Sequence, residues 1–275
     1  SFPGASDNRT TDAWAVLAGL SRETSRIGLG ILVSPVTFRL PGNLAKLGAT
    51  VQEMSGGRLQ MGMGAGWNEV EHAAYGFPFP EIAERADMLE EQLEIVRGLW
   101  QGADGWSFDG DHYRIENALF RAKPTPIPRI IVGGDGMPRS MRIAVRYADE
   151  FNITSSDPER IADRFRLLDR TIAEAGRDPA TLARSAMVGV LVGRDEADLD
   201  ARRRRLLAAV GHADEGLSAW YEERRQRWIL GTPEEARARV REFAAVGVER
   251  MMLQDFVPRD LDMIDLLGDE LIGRV

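Results

Sequence analysis

Residues 57–100 read GRLQMGMGAGWNEVEHAAYGFPFPEIAERADMLEEQLEIVRGLW, and this stretch decides the fold. It predicts an apolar strand over 59–65 that ends in Gly64-Ala65-Gly66, then a polar cluster, then an amphipathic helix over 81–100. A strand that ends in small residues lets a flat molecule approach its backbone closely. The stretch therefore predicts a ligand seat at the C-terminal end of a buried strand.

Strands and helices alternate along the whole chain. Apolar strands are predicted at 27–33, 59–65, 129–132, 151–154, 183–192 and 250–253. They are apolar without alternation, as buried parallel strands are when helices cover them. A doubly wound open sheet and a (β/α)8 barrel both fit, and both place ligands at the C-terminal ends of the strands. Six strands are predicted, whereas a barrel needs eight.

The connecting segments complete this pattern. Helices are predicted over 11–26, 41–54, 157–176 and 232–246, in a further segment that ends near residue 148, and at the C-terminus. A hairpin is predicted over 102–115, around Asp109-Gly110. A charged, mostly helical insert covers about 195–229. No linker or repeat divides the sequence, so one domain is expected over 1–275.

Composition excludes several classes of function. The net charge of −8 argues against nucleic-acid binding, which needs a basic face. There is no cysteine, so disulfides and thiolate metal sites are excluded, and three scattered histidines do not make a metal site. No apolar run approaches the roughly 18 residues of a membrane helix, and no signal-peptide pattern opens the chain. A cytoplasmic protein is expected.

Two glycine-rich segments were tested as phosphate sites. The segment 62–67 lacks the third glycine of a dinucleotide fingerprint, because Trp67 stands at that position. The segment Gly133-Gly134-Asp135-Gly136 lies between a strand and a helix. Such a turn presents backbone N–H groups and a helix N-terminus to a phosphate. A tight turn without any ligand is the alternative.

Five motifs together resemble the bacterial luciferase-like monooxygenase superfamily, in the branch that uses the deazaflavin F420 or FMN. They are GGRLQMGMGAGWNEVEHAAYGFPFP at 56–80, RIGLGILVSP at 26–35, PRIIVGGDG at 128–136, RYADEFNI at 146–153 and GTPEEARARVREFAAVGVERMMLQ at 231–254. The resemblance covers essentially the whole chain. It implies a (β/α)8 TIM barrel, commonly a homodimer, with the cofactor ring at the C-terminal mouth of the barrel.

The resemblance also implies site residues. Val33 and Ser34 match the end of the family's third strand, where a non-proline cis peptide often lies against the ring. Beside the ring, the matching residues are Gly64, Ala65, Gly66, Asn68 and Tyr75. Around the phosphate or ribityl chain, they are Gly133, Gly134, Asp135, Gly136 and Met137, with Arg139 as a candidate phosphate contact.

Other residues carry a functional and a structural interpretation side by side. Glu71 and His72 are candidate acid–base residues, although carboxylates at a helix start commonly cap it and a lone histidine commonly packs. Trp67 is expected to pack at the barrel rim, and stacking on a substrate is the alternative. The run Arg202–Arg205 is expected to form a solvated helix face.

One departure from the family matters for catalysis. The family begins with two strands and a helix that are not found in this sequence, and its second strand ends in a catalytic His or Asp. The catalytic residue is therefore unknown. A fragment, a misassigned start and a natural degenerate member are the three explanations, and a partner subunit could cover the strand edges of an open barrel.

The expected function is F420-dependent hydride transfer to or from a small organic substrate, or FMN-dependent monooxygenation. Only Lys46 and Lys123 among the 35 basic residues are lysines, which indicates a GC-rich genome and favours F420. The alternatives are a non-catalytic flavin- or F420-binding barrel, a truncated fragment of such an enzyme, or a barrel enzyme with another phosphorylated ligand.

Overall fold

The computed structural model describes residues 11–154, 156–210, 217–257 and 259–275, with the backbone only at 217–220. The described chain divides into two compact units. The N-terminal unit contains residues 11–151 and 171–183, and the C-terminal unit contains residues 152–170 and 184–275.

The N-terminal unit begins with a three-stranded parallel sheet and its helices. Its elements are α1 (Ala13–Glu23), β1 (Leu29–Pro35), α2 (Pro41–Met54), β2 (Leu59–Gly64), α3 (Glu69–Tyr75), α4 (Ile82–Gln101), the hairpin strands β3 (Trp106–Asp109) and β4 (Arg114–Ala118), β5 (Arg129–Gly134) and α5 (Pro138–Tyr147). Strand β2 pairs in parallel with β1 and β5, in a register that places Met61 beside Ile31 and Ile130. The C-terminal ends of these three strands therefore lie at the same edge of the sheet.

Two elements cross the boundary between the units, namely β6 (Glu150–Ile153) and α6 (Pro158–Glu174). The remaining elements are β7 (Ala183–Val192), α7 (Glu196–Ala209), α8 (Leu217–Arg225), β8 (Ile229–Gly231), α9 (Pro233–Ala245), β9 (Arg250–Asp255) and α10 (Leu261–Leu271). Strand β7 pairs in parallel with both β8 and β9, with Leu191 opposite Leu230 and Val188 opposite Leu253. This unit is thus also built on parallel strands.

Most predicted elements are confirmed, and the differences are local. The helical insert ends earlier than predicted, because Ile229 begins β8, an additional strand that pairs with β7. A three-residue strand is too short to show a period in the sequence. The polar cluster after β2 forms the helix α3, whose N-cap is Asn68. The predicted hairpin is confirmed.

The prediction of a solvated arginine face is wrong for Arg202. Its side chain is only 1% exposed and pairs with Asp198 at 3.3 Å and with Asp260 at 3.2 Å. Arg205 pairs with Asp260 at 3.0 Å. The backbone N–H of Arg194 and, after it, the Arg202 guanidinium lower the pKa of Asp198. Because Asp260 is the N-cap of α10, this buried network ties α7 to a helix far along the chain.

Arg58, just before β2, fixes the elements that lead into the sheet. Its Nε donates to the carbonyl of Ser55 at 2.7 Å, where α2 ends. Its two Nη atoms donate to the carbonyls of Ser21 (3.0 Å), Thr24 (2.7 Å) and Ile27 (2.6 Å) and to the Thr24 hydroxyl (2.9 Å). One planar guanidinium therefore satisfies carbonyls at the ends of α1 and α2 and ahead of β1.

Replacing Arg58→Ala is expected to lower the free energy of unfolding by about 2–4 kcal/mol, because several half-buried carbonyls lose their charged donor. Urea unfolding followed by tryptophan fluorescence measures this. Arg22→Ala, at an exposed residue in the last turn of α1, is the control and should stay within about 0.5 kcal/mol of the parent. Equal stabilities of the two variants would contradict the anchoring role.

Candidate functional site

At the C-terminal ends of β1, β2 and β5, the Val33 side chain packs over Gly62, Gly64 and Gly133. We call this surface the platform. A Cβ atom on Gly64 would lie 2.7 Å from Cγ2 of Val33, and a Cβ atom on Gly62 or Gly133 would lie 3.0 Å from its Cγ1. The Val33 side chain therefore reaches from β1 across β2 to β5, which is possible only because these strands carry glycine there. The Leu32–Val33 peptide bond is cis, at the place that the resemblance indicated.

Ser34 lies on the other side of this strand end. Its side chain is buried, and the indole Nε1 of Trp14 on α1 donates to its hydroxyl at 3.4 Å. The next residue, Pro35, is the register partner of Gly64. Ser34 thus packs towards α1, and its part in cofactor binding stays a prediction.

The turn after β2 connects the platform to α3. Gly66 has φ +83°, and a Cβ atom there would lie 3.4 Å from Pro35 and 3.6 Å from the ring of His72. The Asn68 Oδ1 accepts the backbone N–H of Glu71 at 3.2 Å and so caps α3. Capping fixes the orientation of this amide and leaves its Nδ2 without a hydrogen-bond partner in the described part of the chain.

His72 holds α3 against the loop that follows β1. Its Nδ1 lies 2.6 Å from the carbonyl oxygen of Asn68, and its Nε2 lies 2.6 Å from the Thr37 hydroxyl. A carbonyl oxygen can only accept, so Nδ1 carries hydrogen, and in the singly protonated ring Nε2 accepts from Thr37. The side chain is 1% exposed. Both ring nitrogens are therefore engaged in structural bonds.

An aromatic cluster that the sequence analysis missed surrounds this imidazole. Phe38 meets it edge-on at 5.0 Å between ring centroids, and Phe79 lies at 4.5 Å. Phe77 stacks on Phe38 at 4.2 Å. The FPF sequence at 77–79 was visible, but its partner Phe38 lies about 40 residues earlier, so no local pattern indicated the cluster.

The two acid–base candidates, His72 and Glu71, differ in whether their polar side-chain atoms are already hydrogen-bonded. His72 would have to break a buried hydrogen bond before it could exchange a proton, and an unsatisfied buried partner costs about 1–3 kcal/mol. Glu71 is half-buried in the first turn of α3, and its carboxylate has no bond in the described structure. Its catalytic role stays a prediction.

The loop after β5 leads into an uncapped helix N-terminus. Gly136 has φ +71° and is buried, while Asp135 and Met137 are exposed. Met137 is the N-cap of α5 and makes no side-chain cap bond, and Pro138 follows at the first helical position. Within the described residues no side chain caps the next backbone N–H groups of α5, which are therefore open to an acceptor from outside the helix.

The structure places Arg139 against α4. Its guanidinium pairs with Asp87 and donates to the Ala83 carbonyl at 3.0 Å, and Glu90 lies at 3.8 Å. Contact with a phosphate would require this side chain to leave its carboxylates. That predicted role stays untested, whereas its role in holding α5 on α4 is visible.

Two predicted site aromatics lie at the surface. Tyr75, at the end of α3, is 65% exposed, with Phe77 at 6.4 Å between ring centroids. The expectation that Trp67 packs at the rim is wrong, because its side chain is 77% exposed. The structural reason is that the inner face of α3 is already filled by His72 and its phenylalanines.

Other kinds of site find little support in the described residues. No group of three or more His, Cys, Asp or Glu residues that could hold a metal ion occurs in the described ranges. No described helix is long and apolar enough to cross a membrane. A cavity of about 450 Å³ lies by the first residue of β5, lined in part by Arg97, Arg129, Asp149 and Thr181, and so at the end opposite the platform.

Sequence comparison identifies the family. A sequence profile for luciferase-like monooxygenases matches residues 2–250. The chain therefore belongs to the luciferase-like monooxygenase family. Mycobacterium tuberculosis protein Rv0953c, described as uncharacterized, is 33% identical over 204 residues, which are 69% of this chain and 71% of that protein.

Two named proteins are also similar. The F420-dependent glucose-6-phosphate dehydrogenase of Microbacterium testaceum is 27% identical over 277 residues, covering 94% of this chain and 81% of the relative. A solved F420-dependent secondary alcohol dehydrogenase, in complex with an F420-acetone adduct, superposes with a TM-score of 0.81 at 21% identity. It covers 98% of this chain and 86% of that chain. This likeness confirms the predicted α/β fold of the luciferase-like TIM-barrel type.

The structural role of His72 leads to a prediction. His72→Phe is expected to lower the free energy of unfolding by about 2–4 kcal/mol, because the Thr37 hydroxyl and the Asn68 carbonyl lose their partner in a buried site. Urea unfolding of the variant and of Glu69→Gln, a control at an exposed residue of the same helix, measures the difference. Unchanged stability of His72→Phe would restore His72 as a free acid–base candidate.

Proposed function

We propose that this protein is an F420-dependent oxidoreductase that moves a hydride between the deazaflavin and a small organic alcohol or carbonyl compound. The Val33 platform over Gly64 and Gly133, at the C-terminal ends of three parallel strands, is the observation that carries the proposal. Ligands of such folds bind at this end of the strands. The named F420-dependent relative, similar over 94% of the chain, supports the same cofactor.

The platform suits a planar ring. The Val33 methyl groups lie over the positions where Cβ atoms of Gly64 and Gly133 would stand, so the surface is apolar and carries no projecting side chain from β2 or β5. A tricyclic ring buries a large apolar area when it lies on such a surface. The Asn68 Nδ2, fixed by helix capping, is available as a donor at the edge of the ring.

The charged tail of the cofactor fits the N-terminus of α5. The loop from Gly133 to Gly136 brings the chain to that N-terminus, where open N–H groups and the helix dipole favour an anion. The carboxylates of Asp87 and Glu90 engage Arg139. The backbone amides of α5 would therefore be the first donors to the phosphate.

A bound deazaflavin supplies a hydride acceptor or donor, while the protein binds and orients it. The residues of this chain would hold the ring on Val33, fix its tail at α5 and keep α3 in place through His72. A catalytic proton donor is not assigned. Glu71 is the candidate with an open carboxylate, and a homodimer in the cytoplasm stays the expected setting.

FMN-dependent monooxygenation is the second candidate, favoured by the family to which the chain belongs. FMN also presents a planar ring and a phosphate, so the platform and the α5 N-terminus do not discriminate between the cofactors. A third candidate is a binding protein without catalysis, because both ring nitrogens of the acid–base candidate His72 are engaged in structural hydrogen bonds.

Titration of the purified protein with F420 and, separately, with FMN distinguishes these candidates. Because the F420-dependent relative favours F420, ring fluorescence is expected to report F420 binding with a dissociation constant at least about tenfold below that of FMN, a difference of about 1.4 kcal/mol. The reverse order would favour the monooxygenase. If neither ligand binds, the proposal is wrong. If F420 binds but no alcohol is oxidised and no carbonyl compound is reduced, the binding protein is favoured.

Gly64→Ala tests the platform itself. The new methyl group would meet Val33 at 2.7 Å and displace it, so F420 affinity is expected to fall about tenfold or more, with a loss of about 1–3 kcal/mol in stability. Gly42→Ala is the control, since a Cβ atom in that helical position meets nothing within 4 Å. Unaltered affinity in Gly64→Ala would show that the ring does not lie on Val33.

A further inference from the structure

Trp67 is exposed although it lies only three residues after Gly64, where the platform strand β2 ends. Its side chain is 77% exposed, and that of Val70, three residues later, is 73% exposed. A single exposed apolar residue needs no explanation, but neighbouring large ones at a candidate ligand site are informative. Ala73 and Ala74 on the same helix are exposed too. Val70 and Ala74 lie four residues apart on α3 and share one face of that helix, and Trp67 stands just before its N-cap Asn68. We call Trp67 and Val70 the α3 shelf.

Hydrogen bonds of Asn68 and His72 hold α3, which carries the shelf, in place. A residue just before a helix cap commonly packs against the fourth residue of the helix. In α3 that fourth residue is His72, which instead bonds to Thr37 and packs against Phe38 and Phe79. Trp67 therefore has no intrahelical apolar partner. Its anchor is Asn68, whose side chain and carbonyl are both bonded to α3.

The shelf begins three residues after Gly64 of the platform. Trp67 follows Gly66, where a Cβ atom would lie 3.4 Å from Pro35 at the end of β1. A molecule that reaches over the ends of β1 and β2 would thus meet the shelf next. This continuity distinguishes the shelf from exposed apolar residues elsewhere on the chain.

The charges near the shelf do not suit an anionic substrate. The arginines that follow β1 and β5 are engaged, Arg39 with Asp12 and Arg139 with Asp87 and Glu90. Arg85 bonds the Pro80 carbonyl and lies over Phe79 at 3.8 Å. On α3 itself the charged residues beside the shelf are the carboxylates Glu69 and Glu71. A phosphorylated or carboxylated substrate would be repelled there.

We propose that the α3 shelf binds the hydrocarbon part of an uncharged, apolar ketone or secondary alcohol, a substrate class that rests on the proposed hydride transfer. The platform positions the ring, and the reacting carbon lies over the ring with its polar oxygen away from the shelf. The alkyl chain then extends over Trp67 and Val70. Longer chains bury more apolar area and bind more tightly.

A series of 2-alkanones tests the shelf. Acetone, 2-hexanone and 2-decanone are bound to the protein with and without F420, and equilibrium dialysis gives their affinities. Over the carbons that reach the shelf, affinity is expected to rise up to about fourfold per methylene. Glucose 6-phosphate is expected to bind more weakly than 2-decanone.

Trp67→Ala is expected to weaken 2-decanone binding by about tenfold or more and to leave acetone binding within about twofold, while F420 affinity is unchanged. Trp67→Phe should recover most of the loss. Leu119→Ala is the matched control, because Leu119 is 65% exposed just after the hairpin. Circular dichroism confirms that each variant folds.

The outcomes separate the two proposals. The shelf proposal would be overturned if Trp67→Ala and the parent bound 2-decanone with equal affinity. It would also be overturned if glucose 6-phosphate bound more tightly than 2-decanone. Absence of F420 and FMN binding would overturn the cofactor proposal alone. In that case the shelf proposal is still supported if 2-alkanone affinity rises with chain length in the parent and does not rise in Trp67→Ala. If affinity does not rise with chain length in the parent, the shelf proposal is refuted.

Discussion

The buried imidazole of His72 is the constraint on which the candidate site depends. Its two ring nitrogens join the Asn68 carbonyl at the start of α3 to the Thr37 hydroxyl after β1. From α4, the Gln92 amide holds the same loop through the carbonyls of Val36 and Arg39, at 2.9 Å and 2.7 Å. The imidazole and the amide are both buried, where an unmade hydrogen bond is costly. The turn from Gly64 to Asn68 therefore has little freedom.

Val33 and its glycines show how one sequence feature serves packing and binding together. A glycine at a strand end was interpreted as room for a ligand, but the structure shows that a valine from a neighbouring strand takes that room. The two readings agree if the valine is the surface on which the ring lies. Substitution of Gly64 then disturbs the ring through Val33 and not by direct contact. The glycine pattern indicated the place, while the packing of Val33 over these glycines is visible only in the structure.

Much of the fold was predictable because its signals are local. Apolar runs such as 59–65 and 183–192, bounded by glycine, proline and charged residues, gave the strands, and amphipathic spacing gave α4. The signals failed where a partner lies far along the chain. The sequence predicted a solvated Arg202, because its buried partner Asp260 lies far along the chain. Strand β8 exists because β7 offers it an edge, and Trp67 is exposed because His72 occupies the interior behind it.

The sequence by itself determined the family, the alternation of parallel strands and helices, and the strand ends at which a ligand would bind, because apolar periodicity and glycine placement are written in neighbouring residues. Only the tertiary structure decided what each site residue does there. In the structure, His72 makes structural hydrogen bonds, Arg139 pairs with a carboxylate on α4, and the Trp67 side chain is exposed at the surface. The reason is physical. A side chain is buried, paired or free according to groups brought to it by folding, and those groups lie tens of residues away in the chain.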